Sequence, residues 1–179
     1  MHLSSMNQAL DIEIDALTES VVEVSTGKIF KTDVSKVSIY FLKKIHKKNG
    51  WKFNWKKESK KENQLFYKLV LEKDKSILLG LISFEIKQDH VHIHLIENSP
   101  DNVGKIKVYQ GIAGNLFAFA CKLSLETGFN GVVAFIAKTD LIEHYFVTLG
   151  ATLLKNQRMF ILEKQAEILI NKYFKNEKK

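Results

Sequence analysis

Between Lys107 and Gly128 the sequence reads KVYQGIAGNLFAFACKLSLETG, a glycine-bearing turn running straight into an amphipathic segment. Ile112, Leu116, Phe119, Ala120 and Leu123 recur at three- and four-residue steps, the spacing of one buried helix face. Gly128 stands where a left-handed residue closes such a helix. The turn Gln110-Gly111-Ile112-Ala113-Gly114 has no bulky side chain at the start of that helix. The first N–H groups of a helix have no internal acceptor and lie at the positive end of its dipole, so this turn is a candidate seat for a phosphate or another anion. The same pattern also serves as an ordinary tight loop with small residues for packing.

The segments on either side give the turn its context. Downstream, Asn130-Gly131 precedes Val132–Ala137, a continuous apolar run suited to a buried strand. A strand reached through a crossover helix calls for a parallel partner. Thr139-Asp140 then opens a helix over Leu141–Leu149, with Glu143 three residues after Asp140 and Gly150 as the stop. Thr152–Leu162 reads as a strand. Ala166, Leu169, Ile170, Tyr173 and Phe174 form the buried stripe of a C-terminal helix, beyond which the terminal KNEKK should fray. Upstream, Leu65–Glu72, Ile77–Ile86 and His90–Glu97 are strands joined by short polar connectors, hence an antiparallel meander. Val37, Tyr40, Phe41, Leu42 and Ile45 predict a helix of about three turns starting near Ser35 and ending at Asn49-Gly50. Trp51–Trp55 alternates as a strand, Ser20–Thr32 as a hairpin turning at Ser25-Thr26-Gly27, and Leu10–Ile14 as one short strand.

A chain of 179 residues with 45% hydrophobic content suits one domain over 1–179, with 1–34 as a hairpin extension and 164–179 as the closing helix. Its apolar runs are too short to span a bilayer, and the acidic, polar opening MHLSSMNQALDIEID is unlike a signal peptide. A cytoplasmic protein without a membrane partner is the expectation. Cys121 is the sole cysteine, which excludes an internal disulfide and a cysteine-based zinc site, and its neighbours mark it as packing. The formal net charge is +7, and Lys43–Lys61 carries nine lysines against one acid, Glu58, with Trp51, Phe53 and Trp55 interleaved. Such a segment is either a solvated rim, the favoured reading, or a nucleic-acid surface.

A helix, three antiparallel strands, a glycine-turn helix, a strand, a helix ending in Leu149-Gly150 and another strand: this order resembles the GNAT acyltransferase superfamily, in an uncharacterised bacterial GNAT-like subgroup. Gln110–Leu116 is similar to its pyrophosphate signature and Leu141–Ala151 to its later Leu-Gly helix. The resemblance implies an α+β, three-layer (α/β) fold. Its mixed sheet would be mostly antiparallel with one parallel pair at the cofactor site, and helices would cover both faces. It implies acetyl-CoA as cosubstrate, contacted by Lys105, Gln110, Gly111, Ile112, Ala113, Gly114, Asn115 and Thr139. There are departures. Ala113 and Asn115 replace smaller residues, Thr139 replaces a frequent asparagine, and Pro100–Lys105 itself looks like the loop leading into the signature, which makes Ile106–Gln110 an insertion. The frequent catalytic tyrosine position holds Phe146, with Tyr145 one residue and about 100° earlier.

Acyl transfer from a thioester to an amine requires a neutral amine, a donor for the oxyanion and an acid for the thiolate. Glu97, at the end of the strand where the family binds the thioester, is the candidate base; alternation places it on a face with Val91, Ile93 and Leu95, an apolar setting that would raise its pKa. A solvent-facing glutamate is the competing reading. Tyr145 and His144 are candidates for the acid, with helix packing the competing use of Tyr145. His90, His92 and His94 have no cysteine or obvious carboxylate to complete a metal site, so no metal is expected, although His92 or His94 could line an acceptor pocket. The reading is an N-acetyltransferase acting on a small-molecule or peptide amine. The alternative is a catalytically inactive GNAT-like binding protein whose basic face meets nucleic acid or another acidic partner. A homodimer is left open.

Overall fold

The computed structural model describes residues 8–174. Its elements are β1 (Val21–Glu23), β2 (Ile29–Phe30), β3 (Thr32–Lys36), α1 (Ile39–Leu42), α2 (Trp55–Glu58), β4 (Leu65–Leu71), β5 (Leu78–Ile86), β6 (Val91–Asn98), β7 (Tyr109–Gln110), α3 (Ile112–Glu126), β8 (Val133–Ile136), α4 (Ile142–Leu149), β9 (Thr152–Lys155), β10 (Arg158–Ile161) and α5 (Glu163–Phe174). Seven strands form one sheet in the order β3-β4-β5-β6-β8-β10-β9, and β2-β1-β7 form a small second sheet. All pairings in the large sheet are antiparallel except β6 with β8. This is the expected mixed α+β architecture.

Helices cover both faces. On one, α3 packs on β5 and β6 and against α5, and Leu116, Phe117, Ala120, Tyr145 and Leu169 join the main core. At Gly80 a Cβ would come within 2.9 Å of Ile112 and 3.0 Å of the Glu97 carbonyl, so only glycine lets α3 sit this close to the sheet. On the other face, Val37, Leu42, Ile45, Trp51, Trp55, Phe66, Leu81 and Leu95 form a second cluster.

Four local expectations are corrected. The three-turn helix from Ser35 is replaced by β3, which pairs with β4 through Lys36, and by the four-residue α1 capped by Ser38 Oγ; of the expected stripe Val37, Leu42 and Ile45 are buried and Phe41 partly so, from a strand end and a short turn, while Tyr40 is exposed. Trp51–Trp55 is a loop entering α2 behind the Asn54 cap. Thr152–Leu162 is a hairpin, because Asn156 and Gln157 both take positive φ (50° and 66°) and turn the chain. In β6, Ser83 faces Leu95 while Phe84 faces Ile93, so His94 is an extra, bulged residue. That bulge shifts the alternation: Val91 and Ile93 face the main core, and Leu95, with Glu97 beyond it, faces the second.

Candidate active site

The parallel pair creates the site. β6 and β8 run side by side over Val91–Ile93 and Val133–Phe135 and are not paired beyond, while β6 continues to Asn98. The chain's own residues 10–15 enter the gap. The Leu10 N–H donates to the Ile136 carbonyl (2.6 Å) and the Lys138 N–H to the Leu10 carbonyl (3.0 Å), a parallel bridge to the end of β8. The Ile12 N–H donates to the Tyr145 hydroxyl (3.2 Å), which donates to the Ile12 carbonyl (2.6 Å). The Ile14 N–H donates to His144 Nε2 (2.8 Å). Leu10 and Ile14 are buried. We call this segment the strap.

Between the strap and the end of β6 lies a cavity of about 430 Å³, lined in part by Asp11, Glu13, Lys52, Glu97, Asn102 and Lys107. Glu97 forms its buried floor. Its Oε1 accepts from the N–H groups of Lys52 (2.5 Å) and Phe53 (3.2 Å), and its Oε2 from Trp55 Nε1 (2.6 Å). Burial pushes the carboxyl above its ordinary range, and the Trp55, Lys52 and Phe53 donors pull it part of the way back. Glu97 is therefore neither solvent-facing nor unpartnered. Lys52 Nζ meets Asp11 at 2.7 Å and, through that hydrogen bond first, holds the Asp11 carboxyl below its usual range.

The N-terminus of α3 is closed. Gly111 takes φ 89°, and its N–H donates to Asp15 Oδ1 (3.0 Å); Lys107 Nζ meets Asp15 Oδ2 at 2.7 Å. The anion seat expected at Gly111 is thus filled by an internal carboxylate. A Cβ on Gly111 would meet Thr18 and the Ser20 carbonyl, and one on Gly114 would meet the Tyr173 hydroxyl and Leu17, so these glycines make room for protein. Ile112, Ala113, Gly114 and Asn115 are buried, Asn115 Nδ2 donates to Thr32 Oγ1 (3.0 Å), and Gln110 pairs with Val22. Lys105 is exposed on the loop beyond the cavity, and Thr139 Oγ1 accepts from Gln157 Nε2 (2.7 Å). Tyr145 is fully buried between Phe117 and Phe135 and holds the strap; burial pushes its phenol upward. In this conformation neither Tyr145 nor Gly111–Asn115 reaches the cavity.

The structure instead brings together Glu97, Lys52, Asp11, Glu13, Asp15 and Lys107. Apart from Glu97, sequence reasoning missed them. The signal was present in Asp11-Ile12-Glu13-Ile14-Asp15, where alternation sets three carboxylates on one strand face. The histidines fall away from this site. His90 lies between Asp89 (2.6 Å) and Arg158 (3.3 Å), His94 meets Glu85 (3.1 Å), and the buried Nε2 of His92 has no partner among the described residues. No group of three His, Cys, Asp or Glu able to hold a metal occurs among the described residues. Cys121 is completely buried, as its packing role requires.

A sheet of this order, with one parallel pair that separates at the C-terminal end and helices on both faces, is the GNAT fold. Solved structures agree: a spermidine N-acetyltransferase SpeG chimera from Vibrio cholerae and hSSAT (16% identity, TM-score 0.52, 76% of this chain and 99% of that one), a KacTA–DNA complex (15%, 0.53, 79% and 99%) and AtaTR bound with AcCoA (13%, 0.50, 78% and 98%). No protein-family model matches the sequence, and comparison with curated proteins gives no match. No helix among the described residues is long and apolar enough to cross a membrane. Acetyl-CoA, which the fold implies, does not fit α3 as it stands, because Asp15 takes the Gly111 N–H and residues 16–20 pack against Gly111 and Gly114, where its phosphates would approach.

Proposed function

We propose that this chain is an N-acyltransferase that moves an acetyl group from acetyl-CoA to an amine acceptor, with Glu97 as the base. The observation that carries the reading is a buried carboxylate with a raised pKa on the floor of a cavity of about 430 Å³ at the point where β6 leaves β8. Acetyl-CoA would supply the activated acyl group; the chain's own contribution is to hold the amine and take its proton. With two N–H donors on Oε1 and one on Oε2, ionised Glu97 keeps one acceptor site on Oε2 free, so it can accept that proton while its position stays fixed. Asp11 and Asp15 on the cavity wall are paired with Lys52 and Lys107, which leaves Glu13 and Glu97 to favour a cationic acceptor over an anionic one. Among similar folds, AtaTR is described with AcCoA bound, which supports the donor class. Calorimetry with acetyl-CoA tests the reading: saturable binding is expected, and no binding at millimolar donor contradicts it.

A second reading has its own observation. The nine lysines and one acid of Lys43–Lys61 leave eighteen basic against nineteen acidic residues in the rest of the chain, so the whole positive excess sits on one segment. Lys44, Lys47, Lys48, Lys56, Lys57 and Lys60 have no ion pair among the described residues; of the aromatic rings, Trp51 and Trp55 are buried, and Tyr40, beside Lys43, is 77% exposed. Lysines free to neutralise phosphates next to an exposed ring suit single-stranded nucleic acid. Fluorescence anisotropy against salt tests it: affinity should fall steeply as salt rises, and salt-independent or absent binding contradicts it.

A further inference from the structure

The strap occupies the groups that a thioester donor needs. Its backbone takes the free edge of β8 at Leu10, the Tyr145 hydroxyl at Ile12 and His144 Nε2 at Ile14; its Asp15 carboxylate takes the N–H of Gly111, the N-cap of α3, and the Lys107 ammonium. An extended backbone followed by an anion on a helix N-terminus is the same sequence of demands, in the same direction, as an amide-bearing arm followed by a phosphate. Resting on the acyltransferase reading, we infer that residues 10–15 are an internal competitor of the donor, and that this structure is the closed state of a chain that opens by releasing them.

The fold supplies the parts such a device needs. The strap is tethered downstream by β1, so release keeps it at high local concentration and closing is fast compared with finding a second molecule. Its contacts are polar groups and two buried aliphatic side chains, Leu10 and Ile14, and it makes one isolated bridge in place of a ladder. Donor affinity is then reduced by the fraction of molecules that are open, and anything that holds the strap away raises it.

Two measurements on the full chain test this. Hydrogen exchange at the Leu10, Ile12 and Ile14 amides of the unaltered protein should speed up at least tenfold on adding CoA, because these amides lose the Ile136, Tyr145 and His144 acceptors. Leu10→Cys with Ala137→Cys, the two partners of the bridge, should lose CoA binding at least tenfold when oxidised and regain it when reduced; buried Cys121 stays out of the exchange. Equal CoA binding by both forms, with unchanged exchange in the strap, overturns the inference and leaves the acyltransferase reading standing, with the donor in the cavity beside Glu97. No CoA binding by either form or by the unaltered protein overturns both.

Discussion

Glu97 satisfies three N–H groups at once, and that gives it a measurable structural role besides the chemical one. Glu97→Ala leaves the Lys52 and Phe53 amides and the Trp55 indole without their acceptor, which should lower stability by about 1–3 kcal/mol in denaturant melts. A melt unchanged by the substitution would mean that water replaces the carboxylate. His92 makes the complementary prediction. Burial, reinforced by the charges of His94, Arg158, His90 and Lys87, holds its imidazole down to about 3. The unfolded chain takes up that proton below about pH 6.5 and the folded chain does not until about pH 3, so stability falls with pH across this window. The slope should approach 1.4 kcal/mol per pH unit for this group, and His92→Leu should flatten it. A parallel slope in the variant would assign the acid lability elsewhere. Glu97 was legible in the sequence because it ends a strand whose element order pointed to a splay. Asp15 and Lys107 were not, since their ion pair joins positions 92 residues apart and no local pattern encodes it.

The order of β4, β5, β6, α3, β8 and α4 could be read from apolar runs of strand or helix length set off by polar and glycine connectors, even though β5, β6 and β8 are buried on both faces. The elements that failed are those whose apolar spacing fits two answers. Val37, Leu42 and Ile45 are buried against Trp51 and Trp55 as a helix stripe would be, but the Val37 N–H is taken by the Phe66 carbonyl, and pairing with β4 wins over a third helical turn. The β9–β10 turn uses Asn156-Gln157, which lacks the glycine that marks such hairpins. The bulge at His94 is invisible to alternation by its nature. For α3 the consequence is a prediction about stability. Gly111 sits at φ 89° against Thr18 and the Ser20 carbonyl, so Gly111→Val combines left-handed strain with a clash and should destabilise the fold by more than about 1 kcal/mol. A thermal midpoint unchanged in the variant would show that residues 16–20 do not cover the helix in solution.

Taken together, the large sheet, the strap and the cavity make one arrangement: a parallel pair that opens, a carboxylate at the opening, and a segment of the same chain lying in the gap. A donor that binds only the folded protein should raise its melting temperature; at a hundred times the dissociation constant the gain is about 2.7 kcal/mol, or roughly 5–10 °C for a chain of this size. The most direct test of acyl transfer is release of free thiol from acetyl-CoA across a panel of primary amines, run in parallel with Glu97→Gln and with the stability of both proteins measured. Acceptor-dependent thiol release that falls about a hundredfold in folded Glu97→Gln, with a rate that rises with pH through an ionisation above the ordinary carboxylate range only in the unaltered protein, is the result predicted here. Thiol release that is absent with every amine, or equal in the two proteins, would contradict it.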